Sequence, residues 1–214
     1  MLLRRIAFYG VAFSILAGCA VGRTTVDVSS PQGTNPTTGK YVRIAPAEDK
    51  RTFAVAPPKA DIASLDPSED SSDASKARAI GRKRNSYGKA LGDVVLPEGK
   101  TVSGLVENAL ERGFQEAGYI VVRQGDPNFA AAAPVTAEII DFWAWFQPGF
   151  WSVTTNQKSE LQLSGDVGAL HGEQTVKTHV SESKQVVTSS DWQEIVEKGL
   201  SAITLETKNL VSGN

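Results

Sequence analysis

The sequence predicts an α+β protein, a mostly antiparallel β-sheet with two helices packed on one face. Three observations lead there. Residues 101–117, and a second stretch beginning near Ser190, repeat apolar side chains at helical spacing. Segments around them alternate apolar with polar residues, as half-buried strands do. The order is strands, helix, three or four strands, helix, which segregates the helices instead of interleaving them with parallel strands.

In chain order, residues 1–18 read as a targeting signal outside the fold. Arg4 and Arg5 precede an apolar run over 6–17, which closes on Leu16-Ala17-Gly18-Cys19. A basic start, a short apolar core and small residues before a cut describe a secretory signal. The run falls short of the ~20 residues that a spanning helix needs. Leu-Ala-Gly-Cys resembles the lipobox of bacterial lipoproteins, in which the cysteine is acylated and becomes the new N-terminus. An ordinary signal with an incidental cysteine would have to place the single cysteine of 214 residues there by coincidence. The arginine pair also raises twin-arginine export. It lies very near the start and lacks the preceding polar residue, so export in the unfolded state is expected. By the same resemblance, two or three acyl chains anchor firmly, each buried methylene contributing ~0.8 kcal/mol. Ala20 in place of an aspartate favours the outer membrane over the inner, with the body facing the periplasm.

Composition bounds the rest. Residues 1–18 hold two arginines and no acids, so the remaining 196 residues carry 20 basic and 24 acidic side chains, a net −4. That balance argues against a nucleic-acid partner. With Cys19 acylated there is no thiol left for a disulfide, a nucleophile or a metal ligand. His171 and His179 are the only histidines, too few for an ordinary zinc site. Neither a metal nor a cofactor is expected.

Residues 19–40 are rich in Thr, Ser, Gly and Pro and read as a tether, with 24–28 as a short strand within it. One domain is expected over 41–212. Residues 41–46 alternate as a first strand, which Pro46 terminates or confines to an edge, and 51–55 extend or repeat it. Residues 61–77 scatter Asp66, Glu69, Asp70 and Asp73 among serines and read as a solvated acidic loop. Their spacing matches no calcium loop.

Lys76, Arg78, Arg82, Lys83, Arg84 and Lys89 then cluster around a turn, with Asn85 and Gly88 at turn positions and Gly81 allowing an unusual backbone angle. Two readings stay open. One is a charged strand edge that resists aggregation. The other is an anion- or partner-binding face made of Arg82, Lys83, Arg84 and Tyr87.

In the helix over 101–117, Val102, Leu105, Val106, Ala109, Leu110, Gly113 and Phe114 share a face. Thr101 caps its start and Gly118 its end. Gly113 costs ~1 kcal/mol against alanine and is expected to bring the helix close to a sheet. Residues 119–122 begin a strand. The strongest strand covers 135–146, followed by Gln147-Pro148-Gly149-Phe150 as a type II turn or a wider loop with an aromatic tip. Residues 151–155 return antiparallel. Two further strands are expected over 159–167 and 175–187, joined by 168–174. A Ser190-x-x-Gln193 box starts the last helix, whose stripe runs from Trp192 through Leu210.

No Gly-x-Ser-x-Gly elbow, phosphate loop or His-Glu-x-x-His pair is present. Regular alternation puts Glu138 and Asp141 on opposite faces, which argues against an acid–base pair. Asp141 beside Trp143 reads as a rim carboxylate, or else as one whose pKa an apolar pocket raises. Alternation also puts Trp143 and Trp145 on one face and Phe142 and Phe146 on the other. Trp143, Trp145, Phe150 and Trp151 are therefore either core or an interface toward membrane or protein.

The pattern Leu110-Glu111-Arg112-Gly113-Phe114-Gln115-Glu116-Ala117-Gly118-Tyr119, with the lipobox, the 80–88 segment and the C-terminal helix, resembles the YajG-like bacterial lipoproteins. The resemblance implies a small sheet with two helices and an envelope address, and it brings no established enzymatic activity. The expectation is a non-enzymatic, membrane-anchored lipoprotein that binds or scaffolds an envelope protein, lipid or cell-wall component. The alternative is an accessory lipoprotein of a lipid or ABC-type envelope transport system, for which an apolar cavity between sheet and helices is the discriminating feature. A weak cell-wall hydrolase using Asp141 or His179 is the least favoured reading.

Overall fold

The computed structural model describes residues 22–213; the signal and Cys19 lie outside them. In chain order these form β1 (Thr24–Thr25), β2 (Tyr41–Ile44), β3 (Glu48–Asp49), α1 (Asp73–Arg78), β4 (Ala79–Arg84), β5 (Ala90–Val95), α2 (Val102–Glu116), β6 (Ile120–Val121), β7 (Ala133–Pro148), β8 (Val153–Val167), β9 (Leu170–Lys184) and α3 (Ser189–Ser212).

The nine described strands make one mixed sheet whose spine is β7. Along one edge β7 pairs antiparallel with β8, which pairs antiparallel with β9. Its other edge receives β2, β3 and β4 in succession, each parallel to it. β4 continues antiparallel to β5 and then to β1, and β2 continues to β6. The α+β class is as expected. The long pairings are antiparallel, and the short parallel additions make the sheet mixed.

Apolar burial places both long helices on one face. Val106, Leu110 and Phe114 of α2 share a core with Ile195, Leu200 and Ile203 of α3 and with Val135, Ile139 and Phe142 of β7. Thr101 Oγ1 accepts the Gly104 N–H at 3.1 Å, the expected cap. The α3 box differs from Ser190/Gln193. The Asp191 carboxylate accepts from the Thr188 N–H at 2.5 Å and from its hydroxyl at 2.8 Å. Gly113 also differs, because its approach is to α3. A Cβ there would lie 2.7 Å from Thr207 Cβ and 2.8 Å from the Thr204 carbonyl oxygen. Gly81 likewise provides space, not an unusual angle: a Cβ would meet the Trp192 ring at 2.6 Å.

A bulge between Ile139 and Asp141 inverts the alternation of β7. Val135, Ala137 and Ile139 face the helices before it, and Phe142, Ala144 and Phe146 face them after it. Glu138 and Asp141 therefore share the opposite face, against the regular-alternation expectation. On that face Trp143 anchors a second core with Ala63, Leu65, Ala79 and Val95, flanked by Phe53 and Trp145.

Other boundaries also move. From residue 22 the expected tether lies on the body: Val26 and Val28 are buried in the main core, and the Asn35 side chain bonds both backbone groups of Val121. Residues 51–55 form no strand, and Arg51 turns its guanidinium inward. The 61–77 loop buries Ala63, Ser64 and Leu65 and starts α1. The strands expected at 151–155 and 159–167 are one strand, β8, which buries Thr155, Asn156 and Gln157. It turns directly into β9 at Gly168, whose φ is +62°.

Candidate functional site

Arg82, in the basic segment, is held by acids that lie elsewhere in the sequence. Arg82 is buried on β4, with Nη1 donating to the Leu65 carbonyl at 2.8 Å. Its guanidinium pairs with Asp66 at 3.1 Å and Asp93 at 3.5 Å. Asp93, fully buried on β5, also accepts from Arg23 Nη2 at 3.3 Å and from the Asp66 N–H at 3.1 Å. Arg23 reaches Glu69 at 3.0 Å and the Asp70 carbonyl at 2.7 Å. The acidic loop thus supplies counterions that clamp the N-terminal segment to the β4–β5 hairpin. Ser75 and Ser72, hydrogen-bonded to Asp70, hold its carboxyl down at about 2.

These contacts divide the proposed anion face. Arg82 is internal. Lys83 Nζ donates to Thr24 Oγ1 at 2.8 Å and Arg84 Nη1 to the Gly88 carbonyl at 2.9 Å. Tyr87 stands 93% exposed at the turn, where Asn85 Oδ1 accepts the Tyr87 and Lys89 N–H groups.

The aromatic set divides as well. Trp143 has no exposed surface and donates Nε1–H to the Ala60 carbonyl at 3.1 Å, so it belongs to the second core and not to an interface. Trp145 stacks on His179, with ring centroids 5.6 Å apart. Phe146 stacks on Trp192 at 3.9 Å. Phe150 and Trp151 sit in a four-residue loop closed by the Gly149 N–H donating to Ser152 O at 2.7 Å. That is the wider-loop alternative, since Gly149 has no positive φ. The two rings meet edge to face at 4.7 Å and are 88% and 84% exposed.

Among the former catalytic candidates, burial raises the Asp141 pKa while Lys158, 2.8 Å away, opposes the rise. His179 Nε2 is 3.2 Å from Asn156 Oδ1. His171 meets Asp166 at 2.6 Å, both exposed. The two histidines lie on different rungs of β9, opposite Lys158 and Asp166.

Sequence reasoning missed Arg23, Arg51 and Asp93. Asp93 had a signal, a lone carboxylate in the apolar run Leu91-Gly92-Asp93-Val94-Val95-Leu96. Arg51 had none. Its guanidinium grips Asp49 at 2.7 Å and donates to the Ala79, Lys76 and Phe142 carbonyls, tying together segments far apart in sequence.

No family model and no curated protein matches the sequence. The crystal structure of a protein from Xanthomonas campestris, of family DUF330, is similar in fold, with TM-score 0.50, 11% identity, and 89% of this chain and 96% of that chain covered. At that identity the likeness extends to the fold alone. An uncharacterized protein of known crystal structure gives TM-score 0.47 at 8% identity, over 90% and 97% of the two chains. A Helicobacter pylori structure, described as a homolog of a neuraminyllactose-binding hemagglutinin, gives 0.32 at 10%, over 85% and 91%. These two scores carry no weight here.

Proposed function

We propose that the protein is a lipid-anchored lipoprotein of the bacterial envelope, of the YajG-like kind, facing the periplasm from the outer membrane. It works by binding or scaffolding a protein, lipid or cell-wall component, not by turnover. The observation that carries this is Leu16-Ala17-Gly18-Cys19 behind a short apolar run, followed after two residues by a packed body. Support for contact over catalysis comes from the charged groups. Arg82 and Asp93 are committed to a buried pair, Arg51 is paired with Asp49, and Asp141 with Lys158. The space between sheet and helices is filled by Leu110, Phe114, Leu163 and Leu200, all fully buried, which favours scaffolding over carriage of lipid inside the body.

Substitution Cys19→Ser tests the anchor. The parent chain is expected in the outer-membrane fraction with an acyl mass on Cys19. The variant is expected to lose both the mass and that fractionation. Unchanged mass and fractionation would remove the reading.

A further inference from the structure

Only Ala20 and Val21 separate Cys19 from Gly22, where the described body begins, and Gly22 is held in place. The Gly22 N–H donates to the Leu91 carbonyl at 2.7 Å, Arg23 is held by Glu69 and Asp93, and Thr24 pairs with Val94. Three residue steps from Gly22 to Cys19 span at most about 10 Å. β1 runs parallel to β5, and β5 departs from the β4–β5 turn, so Gly22, at the start of the described chain, lies on the side of that turn.

The turn lies at the same end of the sheet as the aromatic loop. Gly92 pairs with Lys83, and Gly81 pairs with Ala144 in parallel, which sets Gly22 level with Phe146. Phe150 is four residues further on, about 13 Å at strand rise. The most that Cys19 can extend from Gly22 is thus similar to the height of the loop tip above Phe146. Tyr87, Phe150, Trp151 and Val186 crowd this end, and Val186 follows directly from the Val153–Lys184 rung. These are four of the seven large apolar side chains exposed among the described residues.

We propose that this end of the sheet rests on the bilayer that holds the Cys19 acyl chains, with Phe150 and Trp151 seated among the lipid headgroups and Tyr87 beside them. The inference builds on the lipid anchor proposed above. Trp and Tyr favour a boundary that is apolar on one side and wet on the other. Lys89, exposed on the same turn, suits lipid phosphates. Two aromatic rings alone bind a membrane weakly. A leash of two residues, Ala20 and Val21, keeps them at high effective concentration against it, and the second contact fixes the body's orientation. The β8–β9 turn, and the C-terminal end of α3 whose Val211 carbonyl accepts the Ala169 N–H, are then presented to the periplasm.

The test uses the acylated full chain in phosphatidylethanolamine–phosphatidylglycerol vesicles that contain lipids brominated near the glycerol end of the acyl chain. Tryptophan emission is expected to be quenched, and Trp151→Phe is expected to remove most of the quenching, because Trp143 and Trp192 are buried in the two cores and Trp145 is covered by its stack on His179 and by the second core. Acylated, vesicle-bound protein without quenching overturns the proposal, as does quenching that survives Trp151→Phe. A photoreactive residue replacing Phe150 that crosslinks to protein and not to phospholipid in outer membranes also overturns it. Absence of an acyl mass on Cys19 overturns the anchor itself, a separate result.

Discussion

Asp93 has no exposed surface, yet it is the carboxylate on which Arg23 and Arg82 converge. Removing one member of a buried ion pair costs about 3–5 kcal/mol, because the partner charge stays buried without compensation. Asp93→Ala is therefore expected to lower stability by about that amount, read from urea unfolding. If Arg82 served an external anion instead, the same change would leave the unfolding midpoint nearly in place. Asp141 has the opposite sign. Burial raises its pKa, so the ionised form is disfavoured in the folded state; the resulting penalty is absent below the unfolded value near 3.9 and grows as pH rises through the raised folded value. Asp141→Asn is expected to be slightly more stable than the parent at pH 7, with the gain fading below about pH 4. Denaturant midpoints across that range check it, and a gain that grows on acidification would contradict the assignment.

Two glycines on α2 separate propensity from packing. Gly104 has only Thr101 Oγ1 near its missing Cβ, at 3.5 Å, whereas Gly113 abuts Thr207 and the Thr204 backbone. Gly104→Ala is expected to stabilise by up to ~1 kcal/mol. Gly113→Ala is expected to destabilise, since overpacking costs ~1–3 kcal/mol and outweighs the helical gain. Thermal midpoints moving in the same direction would refute the close helix contact. The helices were legible because a 3.6-residue stripe is a local signal that long segments repeat. β7 was legible for a similar reason, as its 135–146 core alternates. Its bulge was not, because one extra residue at Ile140 leaves composition unchanged while reversing every face beyond it. β8 was divided in the sequence reading at 156–158, because Asn156, Gln157 and Lys158 show no alternation of apolar with polar residues. Burial between two long partners gives that polar stretch strand structure that its side chains do not announce. The site was less legible still. Arg82 and Trp143 resemble surface groups until Asp66, Asp93 and the segment carrying Ala60, Ala63 and Leu65 are folded over them.

At the scale of the whole molecule, the segment most misjudged by composition also sets the geometry of the rest. Residues 22–40 are rich in small and polar side chains, yet Val26 and Val28 fill the main core, and the Ser29 N–H donates to Glu197 on α3 at 3.0 Å. Each buried valine contributes about 1.5–3 kcal/mol, and β1 also covers the free edge of β5. A chain lacking residues 22–30 is expected to lose roughly 3–5 kcal/mol, read from denaturant midpoints. A freely solvated tether would lose nothing. The same measurement bears on orientation, because packing that stabilises the body also fixes Gly22, the point to which the two residues from Cys19 attach. Val26→Ser with Val28→Ser is expected to weaken the core and loosen the leash together. In acylated, vesicle-bound protein it should therefore lower stability and reduce the lipid quenching of Trp151, although neither substitution touches the aromatic loop.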